Sequence, residues 1–357
     1  MMNHYYKTVN FTGSSSNGSR TSILVIYTGG TIGMDYEQKS GSLVPFDFEQ
    51  IMEKVPEVSR FGFDLTVLSF FELIDSSDVQ IIHWQTMAKI IEDFYDDFDG
   101  FVILHGTDTM AYTASALSFM LENLSKPVIL TGAQLPIGAT RTDARENLLS
   151  ALEIAGTKVN GRALIPEVCI YFNTLLLRGN RAKKMQNFEF TAFKSYNYPP
   201  LAIAGIHIEY NESKLLPFPS LPPRFYYKLE NRIVLIKLFP GITENHVTTL
   251  LQIPDLKGVV LETFGSGNAP TVKWLIDGLS DAIQRGVVVL NVTQASGGQV
   301  KQGKYATSVH LEQIGVIGGG DITSEAAITK LMFLLANYEL PVVKKFLPVP
   351  IRGEIGN

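Results

Sequence analysis

The sequence is poor in residues that several common chemistries need. It has one cysteine, Cys169. A single cysteine excludes an intrachain disulfide and a cysteine-cluster metal site. Within Val168-Cys169-Ile170-Tyr171-Phe172 it reads as a buried strand thiol. Charged residues make up 18% of the chain and the net charge is −5. No basic stripe appears, so nucleic acid is not an expected partner. No apolar run is long enough to span a bilayer, so no membrane partner is expected. The first twenty residues are rich in Ser, Asn and Gly and lack the apolar stretch of a secretion signal. A cytoplasmic protein with a disordered tail over 1–20 is the expectation. No His-x-x-x-His pattern and no carboxylate cluster at metal spacing occurs, so no metal and no cofactor is expected. The G-x-S-x-G elbow of many hydrolases is missing too.

What is present is apolar and repetitive in layout. Hydrophobic residues reach 45% of 357, too many residues for one ordinary core, so two domains are expected. Apolar strand runs end in small polar loops and lead into helical patterns, the β–α alternation of a parallel sheet. Strands are expected at 21–27, 65–71, 101–104, 126–130 and 166–172, and helices at 48–54, 81–94, 110–124 and 144–155. The expected fold is α/β. A larger N-terminal domain over 21–208 has a three-layer, flavodoxin- or Rossmann-like parallel sheet. Residues 209–231, with four prolines, read as a linker. A smaller α/β domain is expected over 232–357.

Polar residues gather at the strand ends, where open α/β sheets bind ligands. Thr28-Gly29-Gly30-Thr31-Ile32-Gly33 follows the first strand. Its spacing is not that of a dinucleotide loop, and Thr31 stands where a phosphate site needs bare backbone. Residues 34–45 read as a mobile loop beside it, a lid. Ile74-Asp75-Ser76-Ser77-Asp78 follows the second strand and also serves as a capped turn. His105-Gly106-Thr107-Asp108-Thr109-Met110 follows the third, and Thr131-Gly132-Ala133-Gln134 the fourth. Arg178 to Lys184 supplies lysines. A threonine hydroxyl attacks only after a base takes its proton. A lysine can be that base, and an aspartate can hold the lysine. Thr107, Asp108 and a distant lysine would make a triad of the Ser-Lys type, with glycine-loop amides for an oxyanion. Residue types alone thus point to acyl transfer or amide hydrolysis.

Seven segments carry a resemblance: TGGTIG (28–33), IDSSD (74–78), HGTDTMAYTASALSFMLENL (105–124), TGAQLP (131–136), RGNRAKK (178–184), FGSGNAP (264–270) and GVIGGGDIT (315–323). Together they resemble the bacterial-type L-asparaginases, most closely the cytoplasmic type I branch. The resemblance implies hydrolysis of L-asparagine to L-aspartate and ammonia. It implies Thr31 as nucleophile, with Thr107, Asp108 and Lys184 as a second triad. Lys183 competes for the lysine role, and motif spacing favours Lys184. Ser76 and Ser77 would hold the substrate α-carboxylate, Asp108 its α-ammonium, and the Ala133 carbonyl would line the pocket. The lid tyrosine of many members is replaced by Leu43 or Ser42, and Tyr305 is the expected substitute. Asn268 resembles a residue that completes a partner's site, so a homodimer or a homotetramer built as a dimer of dimers is implied. The competing readings are a glutaminase side activity, an amidohydrolase subunit of a glutamyl-tRNA amidotransferase, and a non-catalytic amino-acid sensor.

Overall fold

A computed structural model of the protein describes residues 6–11, 20–36, 43–45, 55–303 and 306–356. The chain forms two compact units, Met1–Ser195 with Pro199–Tyr227, and Lys228–Asn357 with Tyr196–Tyr198.

The first unit is built on nine strands: β1 (Tyr6–Phe11), β2 (Ser22–Tyr27), β3 (Asp64–Phe70), β4 (Gly100–Leu104), β5 (Val128–Thr131), β6 (Val168–Phe172), β7 (Leu175–Arg178), β8 (Ala202–Ala204) and β9 (Ile208–Tyr210). Their order across the sheet is β1-β3-β2-β4-β5-β6-β7-β8-β9. The five central strands β3-β2-β4-β5-β6 run parallel. The outer pairings are antiparallel. Every residue of β4, β5 and β6 is buried. That is why their sequences read as unbroken apolar runs: both faces of the sheet are covered. The central order 2-1-3-4-5 is flavodoxin-like, and the chain reverses direction between β2 and β4.

Helices α1 (Ile81–Asp93), α2 (Met110–Met120) and α3 (Ala144–Gly156) connect the parallel strands. The expected helix 110–124 is shorter than its pattern. Leu121–Glu122 instead pairs antiparallel with Arg224–Phe225. Nor does α2 have a single apolar face. Ala111, Ala114, Ser115, Ala116 and Ser118 are buried along with Leu117 and Phe119, so small residues let it be enclosed on all sides.

Two other expectations are corrected. Residues 6–11 are not part of a disordered tail. They form β1, paired along its whole length with β3. Tyr, Val and Phe supply strand propensity that the Ser- and Gly-rich surroundings obscure. The two ends of the expected lid are strands, since Met34–Tyr36 pairs antiparallel with Leu43–Pro45. The helix expected over 48–54 lies outside the described residues.

The proline-rich stretch 209–231 docks on the first unit up to Tyr227. The buried ion pair of Arg178 and Glu167, 2.6 Å at its shortest, is part of the reason. Arg178 also donates to the Lys214 carbonyl, and Glu167 accepts from the Leu216 amide.

The second unit is a four-stranded parallel sheet of β10 (Ile233–Lys237), β11 (Gly258–Thr263), β12 (Val288–Thr293) and β13 (Ile317–Gly318), in that order. Helices α4 (Glu244–Leu251), α5 (Lys273–Gln284), α6 (Ala306–Gln313), α7 (Ser324–Asn337) and α8 (Leu340–Phe346) complete it. On α5 the buried residues Leu275, Leu279 and Ala282 recur at helical spacing. Thr323 caps α7 through the Ala326 amide. Lys330 of α7 is fully buried and meets Glu354 at 2.6 Å and the carbonyls of Leu347 and Val349.

Candidate active site

Four loops leave the carboxyl ends of β2, β3, β4 and β5. The reversal of strand order between β2 and β4 opens a crevice there. The loops meet backbone to backbone. Thr28 N donates to Leu104 O, Ile74 N to Thr28 O, and His105 N to Thr131 O. Two positions explain why glycine is needed. A Cβ on Gly30, whose φ is +88°, would lie 2.5 Å from the Gly106 amide nitrogen. A Cβ on Gly132 would lie 2.4 Å from the His105 carbonyl oxygen. Thr31 and Thr107 each follow one of the touching glycines, Gly30 and Gly106.

Lys184 arrives from the other end of the unit. Lys183–Lys184 forms a two-residue pairing with Phe193–Lys194. Lys184 Nζ lies 2.8 Å from Thr107 Oγ1 and 2.5 Å from Asp108 Oδ1. Strand alternation turns Lys183 to the opposite face. The Lys184 side chain is 16% exposed and that of Asp108 64%, so the lysine is recessed while the carboxylate opens outward. Thr107 Oγ1 donates to Gln134 Oε1 at 3.5 Å, and Gln134 Nε2 donates to the Glu189 carbonyl.

Ser76 is buried beneath this group. Its Oγ accepts from the Asp108 amide and its carbonyl accepts from Thr109 Oγ1 at 2.6 Å. Ser77 is exposed, and its amide and hydroxyl both donate to Asp75. These donors, the amide first, hold the Asp75 carboxyl below its usual range. Thr31 opens a single 3-10 turn, Thr31–Gly33, and is partly exposed. Ala133 is buried. Asn268 belongs to the second unit, where Phe264 N donates to its carbonyl. Tyr305 and Ser42 lie outside the described residues. Leu43 lies in the strand Leu43–Pro45.

Comparison with known proteins gives this arrangement a family. Residues 22–216 match the model of the asparaginase N-terminal domain. Residues 232–343 match that of the glutaminase/asparaginase C-terminal domain. The chain belongs to the asparaginase family.

L-asparaginase 1 of Escherichia coli (strain K12) is 43% identical to this family member over 346 residues, covering 94% of this chain and 98% of that one. The 60 kDa lysophospholipase of Homo sapiens is 43% identical over 364 residues, covering 95% of this chain and 62% of the other. The crystal structure of L-asparaginase I from Vibrio cholerae superposes with a TM-score of 0.85 at 41% identity, over 95% of this chain and 100% of that one.

Two supports of the asparaginase crevice went unread in the sequence. The first is His105. Its Nδ1 lies 2.7 Å from the Gly106 carbonyl, which can only accept, so Nδ1 carries the proton. Its Nε2 then accepts from Thr113 Oγ1, which in turn accepts from Trp84 Nε1. Burial lowers the His105 pKa to about 4 and keeps the ring neutral. The ring thus fixes the peptide unit just before Thr107. The second is Asp143, at the start of α3. Its carboxylate accepts from the amides of Gln134 and Leu135 and from Asn147 Nδ2. Asn147 Nδ2 also donates to the Gly132 carbonyl. In the sequence Asp143 looks like an ordinary helix cap; only the fold reveals that it grips the loop after β5.

Proposed function

We propose that the chain hydrolyses L-asparagine to L-aspartate and ammonia. The observation that carries this reading is the reach of Lys184 Nζ to both Thr107 and Asp108 at a glycine-lined strand edge. Thr31 Oγ1 attacks the side-chain amide carbon, the C–N bond breaks, and ammonia leaves with the threonine proton. A water then attacks the β-aspartyl ester. Lys184 takes a proton from that water by way of Thr107 and returns it to Thr31 Oγ1 as the ester C–O bond breaks. Asp108 holds Lys184 and offers its outward oxygen to the substrate ammonium. Ser76 and Ser77 hold the α-carboxylate and the Ala133 carbonyl faces the departing ammonia. A 43% identical relative bears the name L-asparaginase 1, which supports the same substrate.

L-Glutamine is a slower second substrate in this reading. One methylene gives only about 1–3 kcal/mol of discrimination, and the matched C-terminal model is named for both activities. The working state is a cytoplasmic homodimer or homotetramer, in which Asn268 of one copy completes the site of another. Tyr305 supplies the hydroxyl that orients Thr31. Among the described residues no helix is long and apolar enough to cross a membrane.

The test is ammonia release from asparagine and glutamine, across concentration, for wild type and Thr107→Ala. Strong release from asparagine, weaker release from glutamine and near-loss in the variant are expected. No release from either, with asparagine still bound, would overturn the reading in favour of a sensor or a partner-dependent subunit.

A further inference from the structure

The family-matched span begins at residue 22, and β1 lies before it. The added strand does more than widen the sheet. Tyr6, paired with Phe70 at the end of β3, walls a cavity of about 380 Å3 against α1. The α1 wall is formed by Ile82, Gln85, Lys89 and Ile90, one face of the helix. Tyr227 lines the same cavity. Its backbone carbonyl accepts from Gln85 Nε2 at 2.7 Å, which fixes the loop against the helix. The size is that of small-molecule sites, roughly 300–1,000 Å3, and such sites combine apolar walls with a few placed polar groups.

Charge narrows the ligand. Lys89 Nζ lies 2.6 Å from Glu92 Oε2 and 2.6 Å from Asp93 Oδ1. One ammonium is therefore shared by two carboxylates, which sit beside the lining side chains of Lys89 and Tyr227. The Tyr227 hydroxyl donates to Glu92. Burial, then Glu92 and Asp93, push that phenol well above its usual range. An anion is repelled from such paired carboxylates, whereas a second ammonium is attracted. Two tyrosine rings suit a flat aromatic body and add cation–π attraction.

We propose that this cavity binds a small primary amine with an aromatic body, its ring beside Tyr6 and Tyr227 and its ammonium at Glu92 and Asp93. The site is separate from the strand-edge crevice and does not depend on what that crevice hydrolyses. Its wall from β1 lies outside the family-matched residues.

Calorimetric titration of the full chain with 2-phenylethylamine, and in parallel with phenylacetate, tests this. Saturable one-to-one binding of the amine is expected, at least about tenfold tighter than the acid of the same shape. Thr86→Trp, which fills the cavity from α1, should abolish binding while leaving asparagine turnover and the unfolding midpoint unchanged. Glu92→Gln should weaken binding roughly fivefold. Excess L-aspartate should not displace the amine. The proposal is overturned by absence of amine binding, by equal affinity for amine and acid, by displacement with aspartate, or by unchanged binding in either variant.

Discussion

At the scale of single residues the crevice makes unequal demands on neighbouring side chains. Lys184 touches Thr107 and Asp108, whereas Lys183 is its strand neighbour, and successive strand side chains point to opposite faces. Lys184→Met is expected to lower asparagine turnover by about 10²–10⁴-fold, the usual worth of a placed proton acceptor. Lys183→Met should change it less than about twofold, a contrast that steady-state ammonia assays on the pair would resolve. His105 acts on stability through pH. Its folded pKa is near 4, below the ordinary value of 6.5. Between those values the unfolded chain binds a proton that the folded chain refuses. Its contribution is therefore complete above pH 6.5 and is lost as pH falls toward 4. The slope is about 1.4 kcal/mol per pH unit. Urea unfolding at pH 7 and pH 5 should show this loss, and His105→Gln should flatten the difference. Asp143→Ala leaves the Gln134 and Leu135 amides without their acceptor and should cost about 1–3 kcal/mol.

At the scale of elements, the apolar strands were legible because a strand covered on both faces has nothing to alternate. Phe101-Val102-Ile103-Leu104 is the clearest instance, every residue buried. Their polar exits were legible too, since two threonines, an aspartate and paired glycines exceed what a capped turn needs. Less was readable where partnership decides the outcome. β1 is a strand because the edge of β3 accepts it, and nothing in Tyr6 to Phe11 names that edge. The stretch 209–231 looked like a linker from its prolines, yet Arg178, Glu167 and the Leu121–Glu122 edge take up its backbone as far as Tyr227. The roles of Asp143 and His105 were missed because they lie in hydrogen bonds that only the folded chain makes, Asp143 to the amides of Gln134 and Leu135 and His105 to Gly106 and Thr113. An element-level prediction concerns Lys330 and Glu354. Glu354→Gln strands a buried ammonium and should destabilise the second unit by about 3–5 kcal/mol. Denaturation followed by Trp274, which lies in that unit, would report it.

At the scale of the whole molecule the proposed sharing of Asn268 between copies can be tested by complementation. Thr107→Ala disables the crevice of its own chain, and Asn268→Ala disables what that chain lends to its neighbour. Neither variant alone should hydrolyse asparagine well. Co-refolded in equal amounts, hybrid dimers would each regain one intact site, restoring roughly a quarter of wild-type activity. Mixing that restores nothing would mean that Asn268 serves its own chain or none.

The contact of Gly30 with Gly106, and of Gly132 with His105, has a consequence for solvent exchange. Loops at a ligand site ordinarily trade their amide protons quickly. Here the amides of Thr28, Ile74 and His105 are spent on neighbouring loops and strand ends. Deuterium should enter them as slowly as it enters β4. In a deuteration time course this crevice would therefore be counted with the core, although by chain order it consists of loops.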